Sequence, residues 1–184
     1  MLKYSLLSQL FLSVGLLTAC SPNPPVLQAA GPLAANDFEH LDGWVTDSLA
    51  LATLNRDQAH SGKYSTLVAP GNDYSLGYNN ALSKLSPDWP GVLTVSAWVL
   101  VPNEQAAAKL VTEVTGGGAK GASLLWQGLD LPKAVKSFNK WQYVTQTITM
   151  PATAKPNSRL KVYLWRAESK GPVYLDDLTI SLAK

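Results

Sequence analysis

Four aromatic side chains stand where strand alternation turns them away from an aliphatic face. In the run Val92–Val101, Leu93, Val95, Ala97, Val99 and Val101 share one face, and Trp98 lies opposite with Thr94 and Ser96. In Arg159–Arg166, Leu160, Val162 and Leu164 point one way and Lys161, Tyr163 and Trp165 the other. In Ala122–Leu131, Trp126 falls with Leu124 and Asp130 against Leu125, Leu129 and Leu131. Side chains alternate with period two along a strand, so Trp98, Trp126, Tyr163 and Trp165 are the candidates for an exposed platform. Rings of this kind pack on the apolar C–H faces of sugars, while nearby polar groups meet the hydroxyls. Asn79, Asn80, Gln127 and Arg166 are the polar candidates, and Tyr74 and Tyr78 share a parity on a weaker run. If Val92–Val101 and Arg159–Arg166 belong to one sheet, Trp98, Tyr163 and Trp165 share its outer surface. The competing use of any such ring is core or rim packing, which is the expectation for Trp44, Trp89 and Trp141.

Catalytic chemistry has fewer candidates. His40 and His60 are the two imidazoles, each near a turn. There is no His-Glu-x-x-His run, no Gly-x-Ser-x-Gly elbow and no metal-spaced His cluster. Asp176 and Asp177 are adjacent, so on a strand they point to opposite faces and do not form a facing acid–base pair. Gly116, Gly118 and Gly121 satisfy the spacing of a dinucleotide fingerprint, but Ala122–Trp126 reads as a strand where that fingerprint needs a helix. The glycines are expected in a hairpin loop, and the chain is expected not to be an enzyme.

Cys20 is the one cysteine, so no intrachain disulfide can form. Ahead of it, Lys3 gives a positive start. Leu6, Leu7, Leu10, Phe11, Leu12, Val14, Leu16 and Leu17 give an apolar stretch too short and interrupted to span a bilayer, which needs roughly 20 residues. The ending Leu17-Thr18-Ala19-Cys20 resembles the lipobox of bacterial lipoproteins. That resemblance implies a signal peptide over residues 1–19, cleavage before Cys20 and lipidation there, with anchoring by more than one acyl chain. The expected location is the cell envelope, on the outer membrane or cell surface rather than the inner membrane. Residues 20–35, beginning Cys20-Ser21-Pro22-Asn23-Pro24-Pro25, read as a tether, and residues 36–184 as one domain.

The elements that must position these side chains are short strands between Gly- and Pro-containing turns. Clear runs are Tyr64–Val68, Val92–Val101, Lys109–Thr115, Ala122–Leu131, Trp141–Met150, Arg159–Arg166 and Val173–Leu182. Weaker ones are Asp37–His40, Ser48–Thr53 and Tyr74–Leu82, and only Asn103–Leu110 looks helical. Many strands with almost no helix predict an all-β fold, a two-sheet sandwich or barrel. With Lys3 removed, 14 of the 15 Lys and Arg remain against 13 Asp and Glu, and no basic run exists. This excludes nucleic acid as the expected partner. Charged residues are only 15% of the chain against six Trp and seven Tyr, a balance suited to neutral, hydroxyl-rich partners.

Four pieces in order carry a resemblance: Asn36-Asp37-Phe38-Glu39, His60-Ser61-Gly62-Lys63-Tyr64-Ser65, Val95-Ser96-Ala97-Trp98-Val99, and Val173-Tyr174-Leu175-Asp176-Asp177-Leu178. Together they resemble the jelly-roll carbohydrate-binding modules of the galactose-binding-like superfamily, over about residues 36 to 182. Trp141, ahead of Val144 and Pro151, fits the same pattern. The resemblance implies a jelly-roll sandwich and a structural Ca²⁺ joining the first strand, the Ser-Gly turn and the last strand. Carried over, Glu39 and Asp176 are side-chain ligands and Lys63 a carbonyl ligand, with Asp37 and Asp177 as alternates. The leading functional expectation is a non-catalytic envelope lipoprotein that binds glycan, such as a cell-envelope polysaccharide. The alternatives are a structural or protein-interaction ectodomain without a sugar site and, third, a polysaccharide-active enzyme.

Overall fold

The computed structural model describes residues 31–44, 48–88, 90–118 and 121–183. The signal-peptide segment, Cys20, the first part of the tether and Trp89 lie outside the described residues. The strands are β1 (Ala34–Asn36), β2 (Leu54–Asn55), β3 (Ser65–Val68), β4 (Tyr78–Ala81), β5 (Val92–Leu100), β6 (Lys109–Thr115), β7 (Ser123–Asp130), β8 (Trp141–Thr149), β9 (Arg159–Trp165) and β10 (Val173–Leu182). Two one-turn helices, α1 (Leu82–Leu85) and α2 (Leu131–Ala134), follow β4 and β7.

Every strand pairing is antiparallel. A six-stranded sheet runs β2-β3-β10-β5-β8, with β1 pairing on β10 beyond the end of β3, and a four-stranded sheet runs β4-β9-β6-β7. Together they form a jelly-roll β-sandwich. Its core is the alternation read from sequence. Leu93, Val95, Ala97 and Val99 of β5 and Leu175, Leu178 and Ile180 of β10 face Leu160, Val162 and Leu164 of β9 and Leu110 and Val114 of β6. All of these are fully buried. A polar contact crosses this interior, where Gln146 Nε2 of β8 donates to Thr112 Oγ1 of β6 at 2.9 Å.

Several local expectations are corrected. The Leu33 amide already donates to the Ile180 carbonyl at 2.8 Å and β1 begins at Ala34, so the domain starts before residue 36 and takes in the end of the expected tether. Asp37–His40 is not a strand. Asn36 Oδ1 accepts the Phe38 amide, Phe38 takes a left-handed conformation (φ 62°), and its ring is buried while the chain turns out of the sheet. Ser48–Thr53 is a 3-10 turn, closed by Thr53 Oγ1 donating to the Ala50 carbonyl at 2.6 Å. Asn103–Leu110 is not helical. Asn103 Oδ1 accepts the Gln105 amide, a local side-chain bond that competes with helix, and β6 has begun by Lys109. The glycine run after β6 does close a β6–β7 hairpin, with Gly118 at φ 94°.

Candidate functional site

The first cluster of chemistry gathers around residues 60–64. Glu39, delivered by the turn after β1, accepts the amides of Lys63 and Tyr64 on Oε1 at 2.6 and 2.7 Å. Gly62 lies beneath it with φ 58°, and a Cβ there would run into the Glu39 carboxylate. From the other side Asp176 Oδ2 accepts the amides of His60 and Ser61 at 2.7 and 3.1 Å, and Oδ1 accepts the Asp177 amide. The three residues expected at a metal thus all meet one loop. The amide of Lys63 holds Glu39's carboxyl below the usual glutamate range. Asp176 is fully buried, and that burial pushes its carboxyl up to about 6, against the pull of the loop amides.

Asp176 and Asp177 do not point apart. β10 carries a bulge between Asp176 and Thr179, and Asp177 sits at φ 49° in the left-handed region. A bulge breaks the period-two rule, so both carboxylates reach the same two residues. Asp177 Oδ2 lies 2.6 Å from His60 Nδ1, and Ser61 Oγ donates to Asp177 Oδ1 at 2.7 Å.

Among the described residues no group of three or more His, Cys, Asp or Glu side chains is arranged to hold a metal. A Ca²⁺ needs 6–8 oxygen ligands. At this loop it would draw on two carboxylates whose Glu39 Oε1 and Asp176 oxygens already accept amides, and on carbonyls such as that of Lys63. The donor chemistry fits a hard cation only with most ligands coming from backbone and water.

The second cluster is the outer face of the four-stranded sheet. Register places Lys161, Tyr163 and Trp165 of β9 beside Glu113, Val111 and Lys109 of β6, and these beside Trp126, Gly128 and Asp130 of β7. Trp126 is 49% exposed and meets Trp165 edge-to-face, ring centroids 6.0 Å apart. Tyr74, 60% exposed and bridged to Trp165 through the backbone, meets Tyr163 edge-to-face at 5.7 Å. Val111 is fully buried yet is not part of the inter-sheet core, because it lies on this outer face under the surrounding side chains. At the Tyr163 end a recess of about 270 Å³ opens, lined in part by Trp44, Tyr74, Tyr78, Glu113 and Lys161.

The polar groups here engage one another in local sets. Lys161 Nζ donates to Glu113 Oε2 at 3.2 Å and the Tyr163 hydroxyl reaches the same oxygen at 3.5 Å. Burial, then the charge of Glu113, pushes the Tyr163 hydroxyl up to about 12, so it stays a donor across the physiological range. Arg159 Nε donates to Asn79 Oδ1 at 3.0 Å. Lys109 and Lys133 both approach Asp130 Oδ2 at 3.5 Å.

The expected sugar-contact residues are therefore divided. Trp126, Tyr163 and Trp165 come together on this face, but Trp98 does not join them: β5 and β9 belong to different sheets, so Trp98 faces the opposite side of the sandwich. One face of the Trp98 indole is covered by the His60 ring, at 3.9 Å. Gln127 leaves the set as well, donating to the Thr147 carbonyl from the other side of β7. Arg166 is tied to Asp73 at 2.6 Å, and Asn80 Oδ1 accepts the Ala81 amide. Glu113 and Lys161 were missed, although both occupy the outward parity of their strands. Trp44 is buried in the core against Tyr78, and Trp141 lies edge-on to His60.

No family model matches this sequence, and no curated protein does. Solved structures share its fold. The CBM22-1 xylan-binding domain of Paenibacillus barcinonensis Xyn10C aligns with a TM-score of 0.55 at 21% identity, covering 85% of this chain and 97% of that one. The CBM22-2 xylan-binding domain of the same enzyme gives 0.52 at 15% identity, covering 82% and 99%. The C-terminal family 22 carbohydrate-binding module of Clostridium thermocellum Xyn10B gives 0.50 at 15% identity, covering 85% and 97%.

Proposed function

We propose that this chain is a non-catalytic glycan-binding protein whose binding surface is the outer face of the four-stranded sheet. The observation that carries the reading is the meeting of Trp126, Trp165, Tyr163 and Tyr74 around the Glu113–Lys161 pair. The rings offer stacking area on a rigid sheet, and the polar pair offers an acceptor and donors at fixed positions for hydroxyl groups. The xylan-binding modules that share the fold make xylan the first ligand to try.

Two further parts belong to the same proposal. Cleavage before Cys20 and lipidation there would make the protein an envelope lipoprotein, holding the glycan-binding face away from a bacterial membrane. A Ca²⁺ bound by Glu39, Asp176 and the Lys63 carbonyl would be structural, fastening the loop at residues 60–64 to both ends of the domain.

The test is calorimetric titration of the chain with xylohexaose and soluble xylan, repeated on Trp126→Ala and Trp165→Ala. Binding that either substitution weakens by about tenfold, with folding intact, supports the assignment. Wild-type affinity in both variants would move the site elsewhere. For the anchor, Cys20→Ala should give an unprocessed chain that does not take up labelled palmitate; a processed, labelled variant would refute the lipobox.

A further inference from the structure

We propose that the outer face of the six-stranded sheet is a second glycan-binding surface, a hydroxyl-lined shelf ended by Tyr143 that takes a neutral, extended polysaccharide chain. Register builds the shelf from two cross-strand hydroxyl rows, Ser181–Thr94–Thr147 and Thr179–Ser96–Thr145, with the Trp98–Tyr143 pair at its end. Ser96 is itself buried between its neighbours, and Asp176, in register with Trp98, is covered by the loop at residues 60–64. A depression of about 460 Å³ lies over them, bordered by Thr94, Ser96, Trp98, Tyr143, Thr179 and Ser181. From Thr94 to Trp98 it runs roughly 13 Å along the strand, room for more than a single sugar ring.

Tyr143 is 58% exposed and its position is fixed from below. It meets Trp98 edge-to-face with centroids 5.7 Å apart, and Trp98 is itself held under His60. An exposed ring on a fixed support loses little freedom when a ligand covers it. The chemistry around it selects for neutrality. Among the described residues no Lys or Arg borders the depression, and the one carboxylate there, Asp177, is already engaged by His60 and Ser61. An anionic glycan would meet Asp177 with no Lys or Arg among the described residues to offset it, whereas hydroxyl groups can exchange hydrogen bonds with the Thr and Ser rows. Thr145, Thr147 and Thr149 are exposed on β8, an edge strand of this sheet, so the shelf is open on that side.

The inference rests on the glycan-binding reading of the chain but not on the opposite groove, and one experiment separates them. The full chain is titrated with neutral β-1,4-linked hexasaccharides of xylose, glucose and N-acetylglucosamine, by calorimetry and by NMR of labelled threonine methyls. The same is done for Tyr143→Ala, for Trp126→Ala with Trp165→Ala, and for the triple variant. We expect the groove variant to keep binding one of these sugars with shifts at Thr94 and Thr145, and Tyr143→Ala to weaken that remainder about tenfold. The Tyr143→Ala melting temperature should stay within about two degrees of wild type, because the ring is exposed. If the groove variant binds nothing and Tyr143→Ala binds as wild type, the second surface is refuted and the groove stands. If Tyr143→Ala alone removes binding, the groove reading fails and the shelf stands. No binding by the wild-type chain refutes both. A concentration-dependent dimer that Tyr143→Ala dissolves, with no threonine shifts on adding sugar, assigns the face to a second copy of the chain and refutes the proposal.

Discussion

The His60 imidazole lies stacked on the Trp98 indole, ring centroids 3.9 Å apart and planes within 12° of parallel. His60 is positioned from its other edge by Asp177 at 2.6 Å, and its backbone amide is held by Asp176. The stack therefore joins β5 to the loop at residues 60–64 and to the bulge of β10. Trp98 serves as a fastener.

Trp98→Ala should accordingly destabilise the fold. Truncating a buried Trp costs about 3–5 kcal/mol, and Trp98 keeps some exposure, so we expect about 2–3 kcal/mol. At about 2–4 °C per kcal/mol for a domain of this size, the melting temperature should fall by roughly 5–10 °C. Calorimetry of Trp98→Ala beside Tyr143→Ala checks this. Equal, small shifts in the two would mean that the His60 stack carries no stability.

Asp176 predicts a pH dependence with a definite sign. Its folded carboxyl titrates at about 6 against 3.8 in the unfolded chain, because burial outweighs the amides donated to it. Between those values the folded state holds the extra proton, so stability falls as pH rises, by about 3 kcal/mol in all. In EDTA, the melting temperature of wild type relative to Asp176→Asn should decline from pH 4 to pH 6.5. Glu39, held below its usual range, acts in the opposite sense: its contribution is present above pH 4.5 and is lost as pH falls. This is why the comparison must be with the Asn variant. A Ca²⁺ at Asp176 would compete with the proton, so millimolar Ca²⁺ should raise the wild-type melting temperature more at pH 7 than at pH 4.5. Identical melts in EDTA and Ca²⁺ at pH 7 would rule the ion out.

Strand faces were legible in the sequence, and strand neighbours were not. Leu93, Val95, Ala97 and Val99 announced the inner face of β5, as Leu160, Val162 and Leu164 did for β9, and every one is buried. Alternation says which side of its own strand a residue takes, but not which sheet the strand joins. For that reason Trp98 and Trp165 share an outward parity and lie on opposite sides of the sandwich. The approach of Asp176 and Asp177 to one loop depends on a bulge that no glycine marks. Ser48–Thr53 reads as a weak strand, a run of apolar residues without alternation, and it makes a 3-10 turn in which the Thr53 hydroxyl closes on the Ala50 carbonyl.

Gly77 fixes the approach of the chain to β9 just ahead of β4. A Cβ built there would fall onto the Val162 carbonyl oxygen, a backbone atom that cannot swing aside. Gly77→Ala should therefore push β4 off β9 and disturb the recess formed by Tyr74, Tyr78 and Lys161. Overpacking of this kind typically costs about 1–3 kcal/mol, and the measurement is chemical denaturation. An unchanged midpoint would show that β4 can shift without loss.

Gly128 offers the cleanest separation of binding from stability. It is two residues from Trp126 on the same face of β7, and a Cβ at Gly128 would stand 2.7 Å from the Trp126 Cη2 atom and 3.2 Å from Lys109 Cδ. The indole can lie down along its own strand toward Trp165 only because residue 128 has no side chain. The obstructed atoms belong to the far ends of two side chains, so Gly128→Ala should lift the ring while leaving the β6–β7 ladder in place. Alanine is also favoured over glycine in a strand interior by roughly 0.5–1 kcal/mol, so the melting temperature should hold or rise slightly. Glycan affinity should fall several-fold, and the Trp126 fluorescence change on adding xylohexaose should shrink with it. A Gly128→Ala variant that melts normally and binds as wild type would show that the lowered indole is not what the ligand meets.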